Sequence, residues 1–255
     1  PMNNAVVIAG TGSVLPEVVV PNSAFLDRNF MDDNGNPFAH SNEVIIQKFQ
    51  QITEIEERRY ARNDQNSSDL AAEAGRKALA DAGWDAEELD LLIVGQNFGD
   101  MDPGTRRIDQ MPSIASRTKE KLGIANPNTV AFDVLAGCPG WIQGVLVANA
   151  YLKAGMATKA LVIGSETLSR IVDVHDRDSM IFADGAGAAC FALRPSEHGE
   201  GIMGYAAVSY TKDEAYYLKS LPSVNPAGDP NERLIRMKGR KIYEFALKHV
   251  PDAMK

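Results

Sequence analysis

Val130-Ala-Phe-Asp-Val-Leu-Ala-Gly-Cys-Pro-Gly-Trp-Ile-Gln-Gly-Val-Leu-Val-Ala-Asn-Ala-Tyr-Leu-Lys-Ala154 reads as a strand, a sharp turn and a helix. Its first five residues, apolar but for Asp133, suit a strand. From Cys138 onward Trp141, Ile142, Val145, Leu146, Ala148 and Leu152 are spread around the helix, with Gln143, Asn149 and Lys153 the polar exceptions. The pattern predicts a central, buried helix over 138–154. Pro139 is expected as the first helical residue, where the N–H that proline lacks would have no helical partner. Cys138 then stands at the helix N-terminus.

The flanking sequence alternates in the same way. Ala5 to Gly12, Leu91 to Val94, Ala160 to Gly164, Ala186 to Leu193 and Ile202 to Ser209 read as strands. Asn22–Leu26 and Ser41–Ile46 read as helix starts, with Asp32–Pro37 as a turn between them. Ser67 to Ala82 has apolar residues at helical spacing and stops on Gly83, and a further helix is expected over 113–122. Alternating strands and helices imply an α/β sheet with right-handed crossovers. Residues 196–235 are rich in Gly, Pro, Ser and Asn and read as a connecting strand and loop region, after which Met237 to Val250 resumes helical spacing.

The 255 residues, 44% hydrophobic and 24% charged, have the composition of a folded globular chain. There is no run of about 20 apolar residues to span a membrane. The N-terminus lacks the basic flank and long apolar stretch of a signal peptide, so a cytoplasmic protein is expected. A formal net charge of -8 argues against non-specific nucleic-acid binding, while the basic run from Arg236 to Lys241 suits an acidic partner. Two cysteines in no metal-ligand spacing give neither a disulfide framework nor a metal site.

For Cys138, spacing leaves two readings open: an inert core thiol, or a nucleophile. A helix start favours the thiolate through its N–H groups and positive dipole end, and the same N–H groups can hold an oxyanion.

Ala131-Phe-Asp-Val-Leu-Ala-Gly-Cys-Pro-Gly-Trp141 resembles the nucleophile segment of the β-ketoacyl-acyl-carrier-protein synthase III family. Gly10-Thr-Gly-Ser-Val-Leu-Pro-Glu17, Thr53-Glu-Ile-Glu-Glu-Arg-Arg59, Pro112-Ser-Ile-Ala115, Leu161-Val-Ile-Gly-Ser-Glu-Thr-Leu-Ser-Arg170, Asp176-Arg177 and Phe182-Ala-Asp-Gly-Ala-Gly-Ala188 are similar to family motifs and follow in the family's order. The resemblance implies a thiolase-like α/β fold: the first βαβαβαββ half over 1–195, connecting segments over 196–235 and the first helix of an incomplete second half over 236–255. A missing C-terminal part is expected on this reading.

The resemblance further implies an acyltransferase of fatty-acid or polyketide-type synthesis. Cys138 would take an acyl group from acyl-CoA for condensation with malonyl carrier protein. Arg177 aligns with an arginine near the CoA adenine; Leu168, Phe182, Met237 and Gly239 match acyl-pocket positions; Met111 matches the residue by which a dimer partner closes the pocket. Acyl-CoA, an acyl carrier protein and a second copy of the chain are the implied partners, with the CoA thioester as substrate and no cofactor. The family's partner histidine and asparagine come from the second half. His40, His175, His198 and His249 fall outside its motifs and read as surface or loop residues, so the chain alone is expected to condense little or not at all. Lys48, Ile52 and Glu54 depart from the family pattern, Glu54 standing where the motif has glycine. Alternative readings are a hydroxymethylglutaryl-CoA synthase-like or thiolase-like enzyme, with Asp100 or Asp102 as acid or base, and a non-catalytic partner subunit.

Overall fold

The computed structural model describes residues 3–196 and 200–254. In chain order the elements are β1 (Asn3–Val14), β2 (Val18–Pro21), α1 (Asn42–Thr53), β3 (Glu57–Tyr60), α2 (Ser67–Ala82), β4 (Leu91–Gly95), β5 (Asp100–Met101) and β6 (Ile108–Asp109). They continue with α3 (Ile114–Lys121), β7 (Val130–Val134), α4 (Gly140–Lys153), β8 (Lys159–Thr167), β9 (Asp184–Ser196), β10 (Leu218–Leu221), β11 (Leu234–Met237) and α5 (Gly239–Ala253).

The chain forms two compact units. The first comprises Pro1–Val18, Arg59–Thr167 and Asp184–Tyr205. Its five-stranded sheet has the order β1-β9-β8-β4-β7. Strand β4 runs parallel to β7 and β8, while β9 is antiparallel to β8 and β1. The sheet strands and the helices between them succeed one another as βαβαβαββ, the implied order.

Side-chain alternation divides the core into two faces. Leu92, Val94, Leu161, Ile163 and Cys190 join the buried cluster beneath α2 and α3, and Leu91, Ile93, Val162 and Phe191 the one beneath α4. Helix α2 rests on the backbone of β1. A Cβ on Gly10 would fall 2.4 Å from the Ala82 nitrogen, and one on Gly12 2.3 Å from the Ala74 oxygen. Glycine on the strand and alanine on the helix are what this approach requires. The helix opens with a capping box between Asn66 and Asp69 and closes on Gly83 at φ 67.

The second unit comprises Val19–Arg58, Leu168–Ala183 and Ala206–Lys255. Phe25, Phe30, Ile45, Ile46 and Met180 form its small core. Arg58, in the segment that resembles the family's Thr-Gly-Ile-x-x-Arg element, is buried there. Its guanidinium donates to the Met180 and Val20 carbonyls, both at 3.1 Å, and to Asn22 Oδ1 at 2.6 Å, and lies 4.8 Å from the Phe25 ring centre. Strands β10 and β11 pair as a hairpin.

Three expectations are corrected. Residues 202–209 form no strand: Gly201 turns the chain at φ 100, Ile202 N–H donates to the Val6 carbonyl at 2.9 Å, and Met203, Tyr205 and Val208 then lie exposed. Helix α4 is not buried all round. Gly140, Gly144, Ala148 and Leu152 make one buried stripe at i, i+4 spacing against the sheet, Asn149 is buried beside it, and Ile142 is 53% exposed. Finally, Pro139 is the cap of α4 rather than its first helical residue, because Gly140 N–H closes a turn onto the Gly137 carbonyl at 3.0 Å. Cys138 therefore precedes the cap by one residue.

Candidate active site

Parallel strands present their carboxyl ends on one edge of a sheet, the edge at which open α/β sheets bind ligands. In the first unit β4 and β7 end together, with Gly95 in register with Val134 on one side and, on the other, with Gly164 of β8, which runs on to Thr167. The segments after β4 and β7 bring Asn97 and the turn of Gly137 and Cys138 to this edge, and the last residues of β8 bring Glu166.

Cys138 is exposed, whereas Cys190 is buried. Burial pushes the Cys190 thiol up to about 12, so it stays protonated in ordinary buffers. Gly137, at φ 66, turns the chain from β7 toward α4. A Cβ on Gly95 would meet the Gly140 carbonyl carbon at 2.7 Å and the Trp141 nitrogen at 2.8 Å, so the first turn of α4 sits directly on the end of β4. Trp141 donates its indole N–H to the Val162 carbonyl at 3.2 Å.

Hydrogen bonds hold the strand ends in place. Gln96 N–H continues the ladder to the Val134 carbonyl at 3.1 Å, and its side chain donates to Asp133 at 3.0 Å and accepts from Gly99 N–H at 2.6 Å. The Asp133 carboxylate also accepts from the Ile114 and Ala115 N–H groups at 2.8 and 2.7 Å, a negative charge at the positive end of α3. Asn97 Nδ2 donates to Glu166 Oε1 at 2.7 Å, and its Oδ1 accepts from Gly137 N–H at 3.0 Å. Burial raises the Glu166 carboxyl to about 7 against the hydrogen bonds from Asn97, with the Asp184 charge adding to the rise. Neither Asn97 nor Glu166 was expected as a site residue. The sequence signals for Glu166 are its place just past the glycine of β8 and within the family-like Leu161–Arg170 stretch.

Met111, in the first unit, is 87% exposed. The other expected residues lie in the second unit. Arg177 is exposed, with its guanidinium 4.8 Å from the Phe38 ring centre and 4.0 Å from Asp178. Burial pushes the neighbouring Asp176 carboxyl up to about 6 and raises that of Asp178. Gly239 packs beside Asp178 and Met237: a Cβ there would lie 3.0 Å from Asp178 Oδ2 and 3.7 Å from Met237 Cε. Arg177 and Gly239 thus lie beside Asp178, with Met237 next to Gly239. Leu168 and Phe182 are half-buried at the two ends of the 168–183 segment.

Among the described residues no group of three His, Cys, Asp or Glu side chains is placed to hold a metal, and no helix is long and apolar enough to cross a membrane. His175 faces the Asn29 carbonyl and Asn225, and His249 packs against Tyr210 and Phe245. His198 lies outside the described residues.

The sequence of the 3-oxoacyl-[acyl-carrier-protein (ACP)] synthase III family matches over residues 132–211, which include the Cys138 turn. The β-ketoacyl-[acyl-carrier-protein] synthase III of Caldanaerobacter subterraneus is 36% identical over 252 residues, covering 96% of this chain and 69% of the relative. The chain belongs to the β-ketoacyl-[acyl-carrier-protein] synthase III family. The synthase III of Neisseria meningitidis is 40% identical over 245 residues, covering 94% of this chain and 68% of its own length. The crystal structure of 3-oxoacyl-(acyl carrier protein) synthase III from Pseudomonas aeruginosa superposes with a TM-score of 0.74 at 27% identity, over 98% of this chain and 69% of that one. Membership of the synthase III family makes the chain an acyltransferase with a thiolase-like fold. The chain spans 69% and 68% of the length of the Caldanaerobacter and Neisseria synthase III relatives.

Proposed function

We propose that Cys138 is the acyl acceptor of a β-ketoacyl-acyl-carrier-protein synthase III. The observation that carries the reading is an exposed thiol at the carboxyl end of parallel strands, immediately before α4, in a chain of this family. The thiolate attacks the acyl-CoA carbonyl, the Cys138–acyl bond forms, and the CoA sulfur leaves and takes up a proton. First-turn N–H groups of α4 face the oxygen on which negative charge develops. The acyl group then passes to the carbanion that malonyl carrier protein yields on losing carbon dioxide, a chain-starting step of fatty-acid or polyketide-type synthesis.

Arg177 belongs to this reading as the CoA contact, because a guanidinium suits both adenine stacking and phosphate pairing. Leu168, Phe182, Met237 and Gly239 line the acyl pocket, and Met111 reaches the pocket of a second copy in a homodimer. The acyl carrier protein is the second partner and the cytoplasm the compartment. The first half over 1–195, the connecting region 196–235 and the first helix of the second half over 236–255 are part of the same reading.

A stopped-flow assay of CoA release tests it. Mixing with excess acyl-CoA should release one equivalent of CoA per chain in a burst that Cys138→Ala abolishes. A burst retained in that variant would contradict the assignment, as would no burst from the parent.

A further inference from the structure

We propose that Asn97 and Glu166 are positioning residues for Cys138: the Glu166 carboxyl holds the Asn97 amide, whose oxygen fixes the Gly137 N–H and with it the turn that presents the thiol. The inference rests on the reading of Cys138 as the acyl acceptor.

The three residues come from the ends of three neighbouring parallel strands. Asn97 follows β4, Gly137 follows β7 and Glu166 lies near the end of β8. Both ends of the Asn97 amide are engaged, with its Nδ2 2.7 Å from Glu166 Oε1 and its Oδ1 3.0 Å from Gly137 N. Glu166 Oε1 accepts from Asn97 whether the carboxyl is ionised or carries its proton on Oε2. Glu166 therefore turns the NH₂ group of Asn97 toward itself and leaves the carbonyl oxygen aimed at the glycine. The Asn97 backbone is anchored as well, its carbonyl accepting from Gln110 Nε2 at 3.1 Å.

Gly137 is the residue before Cys138, and at φ 66 it occupies the left-handed region that glycine reaches most easily. Its freedom makes the turn deformable unless something outside the turn fixes the peptide. The hydrogen bond from its N–H to Asn97 does so.

Glu166 Oε2 is sealed from solvent and has no hydrogen-bond partner among the described residues. Leaving a carboxyl oxygen in that state is unfavourable, and an apolar side chain there would avoid the cost. What a carboxyl adds, and an apolar side chain lacks, is the acceptor that orients Asn97. A supporting layer of hydrogen bonds of this kind holds a reactive group near its productive geometry.

The test compares the parent with Asn97→Ala, Glu166→Ala and Glu166→Gln by amide hydrogen exchange at Gly137. The amide of Ile93, inside β4, serves as the reference. Asn97→Ala and Glu166→Ala should each speed Gly137 exchange by about fivefold, the factor expected for one ordinary hydrogen bond, with Ile93 unchanged. Glu166→Gln keeps an acceptor for Asn97 and should stay within about twofold of the parent. Acylation of Cys138 by acetyl-CoA should slow in the two alanine variants and recover in Glu166→Gln. Unchanged Gly137 exchange in Asn97→Ala would overturn the inference, as would exchange that rises only in step with Ile93, or acylation at the parent's rate in both alanine variants. If the parent takes up no acyl group, the reading of Cys138 fails, and Gly137 exchange alone decides the positioning.

Discussion

The backbone of Gly95 meets the backbone of Gly140: a Cβ on Gly95 would fall 2.7 Å from the Gly140 carbonyl carbon. The end of a central strand thus seats the helix that follows Cys138, and no flexible side chain is there to yield. Gly95→Ala forces the two main chains apart, at a cost of roughly 1–3 kcal/mol typical of overpacking. Urea unfolding should show that loss, and acylation of Cys138 should slow with it. A variant as stable and as reactive as the parent would contradict the packing.

Glu54 closes α1 at φ 58 and ψ 13, with its N–H 2.8 Å from the Gln50 carbonyl oxygen. It occupies a left-handed position usually given to glycine, and the family motif has glycine there. Glu54→Gly should stabilise the protein by roughly 0.5–1 kcal/mol, net of glycine's greater freedom in the unfolded chain. Urea midpoints measure this, and a less stable variant would refute it.

The two thiols differ in access. Cys138 is exposed, and Cys190 lies in the α2 face of the core with its thiol pushed up to about 12. A disulfide reagent should titrate one thiol per folded chain near neutral pH, lost in Cys138→Ala, and the second only after denaturation. Two thiols reacting at equal rates in the folded protein would be inconsistent with this core.

The fold was legible where one local signal sufficed. The apolar runs of β4 (Leu91–Gly95) and of β8 from Ala160 to Ile163 are short and continuous because both faces of these stretches are covered, and α2 announces itself by its alanine spacing and its terminal Gly83. Residues 202–209 have the apolar content of a strand, but after Gly201 the chain leaves β1 once Ile202 N–H has bonded to the Val6 carbonyl, and composition carries no trace of that. The all-round apolarity of α4 misleads for a related reason: one sheet face buries one stripe and leaves Ile142 outside. Cys138 could be found from its place between a strand and a helix. Asn97 and Glu166 could not, since the bond joining them spans 69 residues and depends on how β4 and β8 pair.

Glu166 makes stability depend on pH with a definite sign. Burial raises its carboxyl from 4.5 to about 7, so in that interval the folded chain retains a proton that the unfolded chain releases. The stability this contributes is complete below the unfolded value and lost as pH rises through the folded one. Glu166→Gln does not titrate. Its stability relative to the parent should therefore increase between pH 5 and pH 8, by on the order of 2–3 kcal/mol at most. Urea unfolding at the two pH values checks this, and a difference that is constant or falls with pH would contradict it.

The central claim is that Cys138 accepts an acyl group from a CoA thioester. Intact-mass analysis with peptide mapping after incubation with acetyl-CoA tests it most directly. The account predicts one acetyl group per chain, located on the peptide carrying Cys138, removed by hydroxylamine and absent from Cys138→Ala. An unmodified parent chain, or an acetyl group that persists in Cys138→Ala, would contradict it.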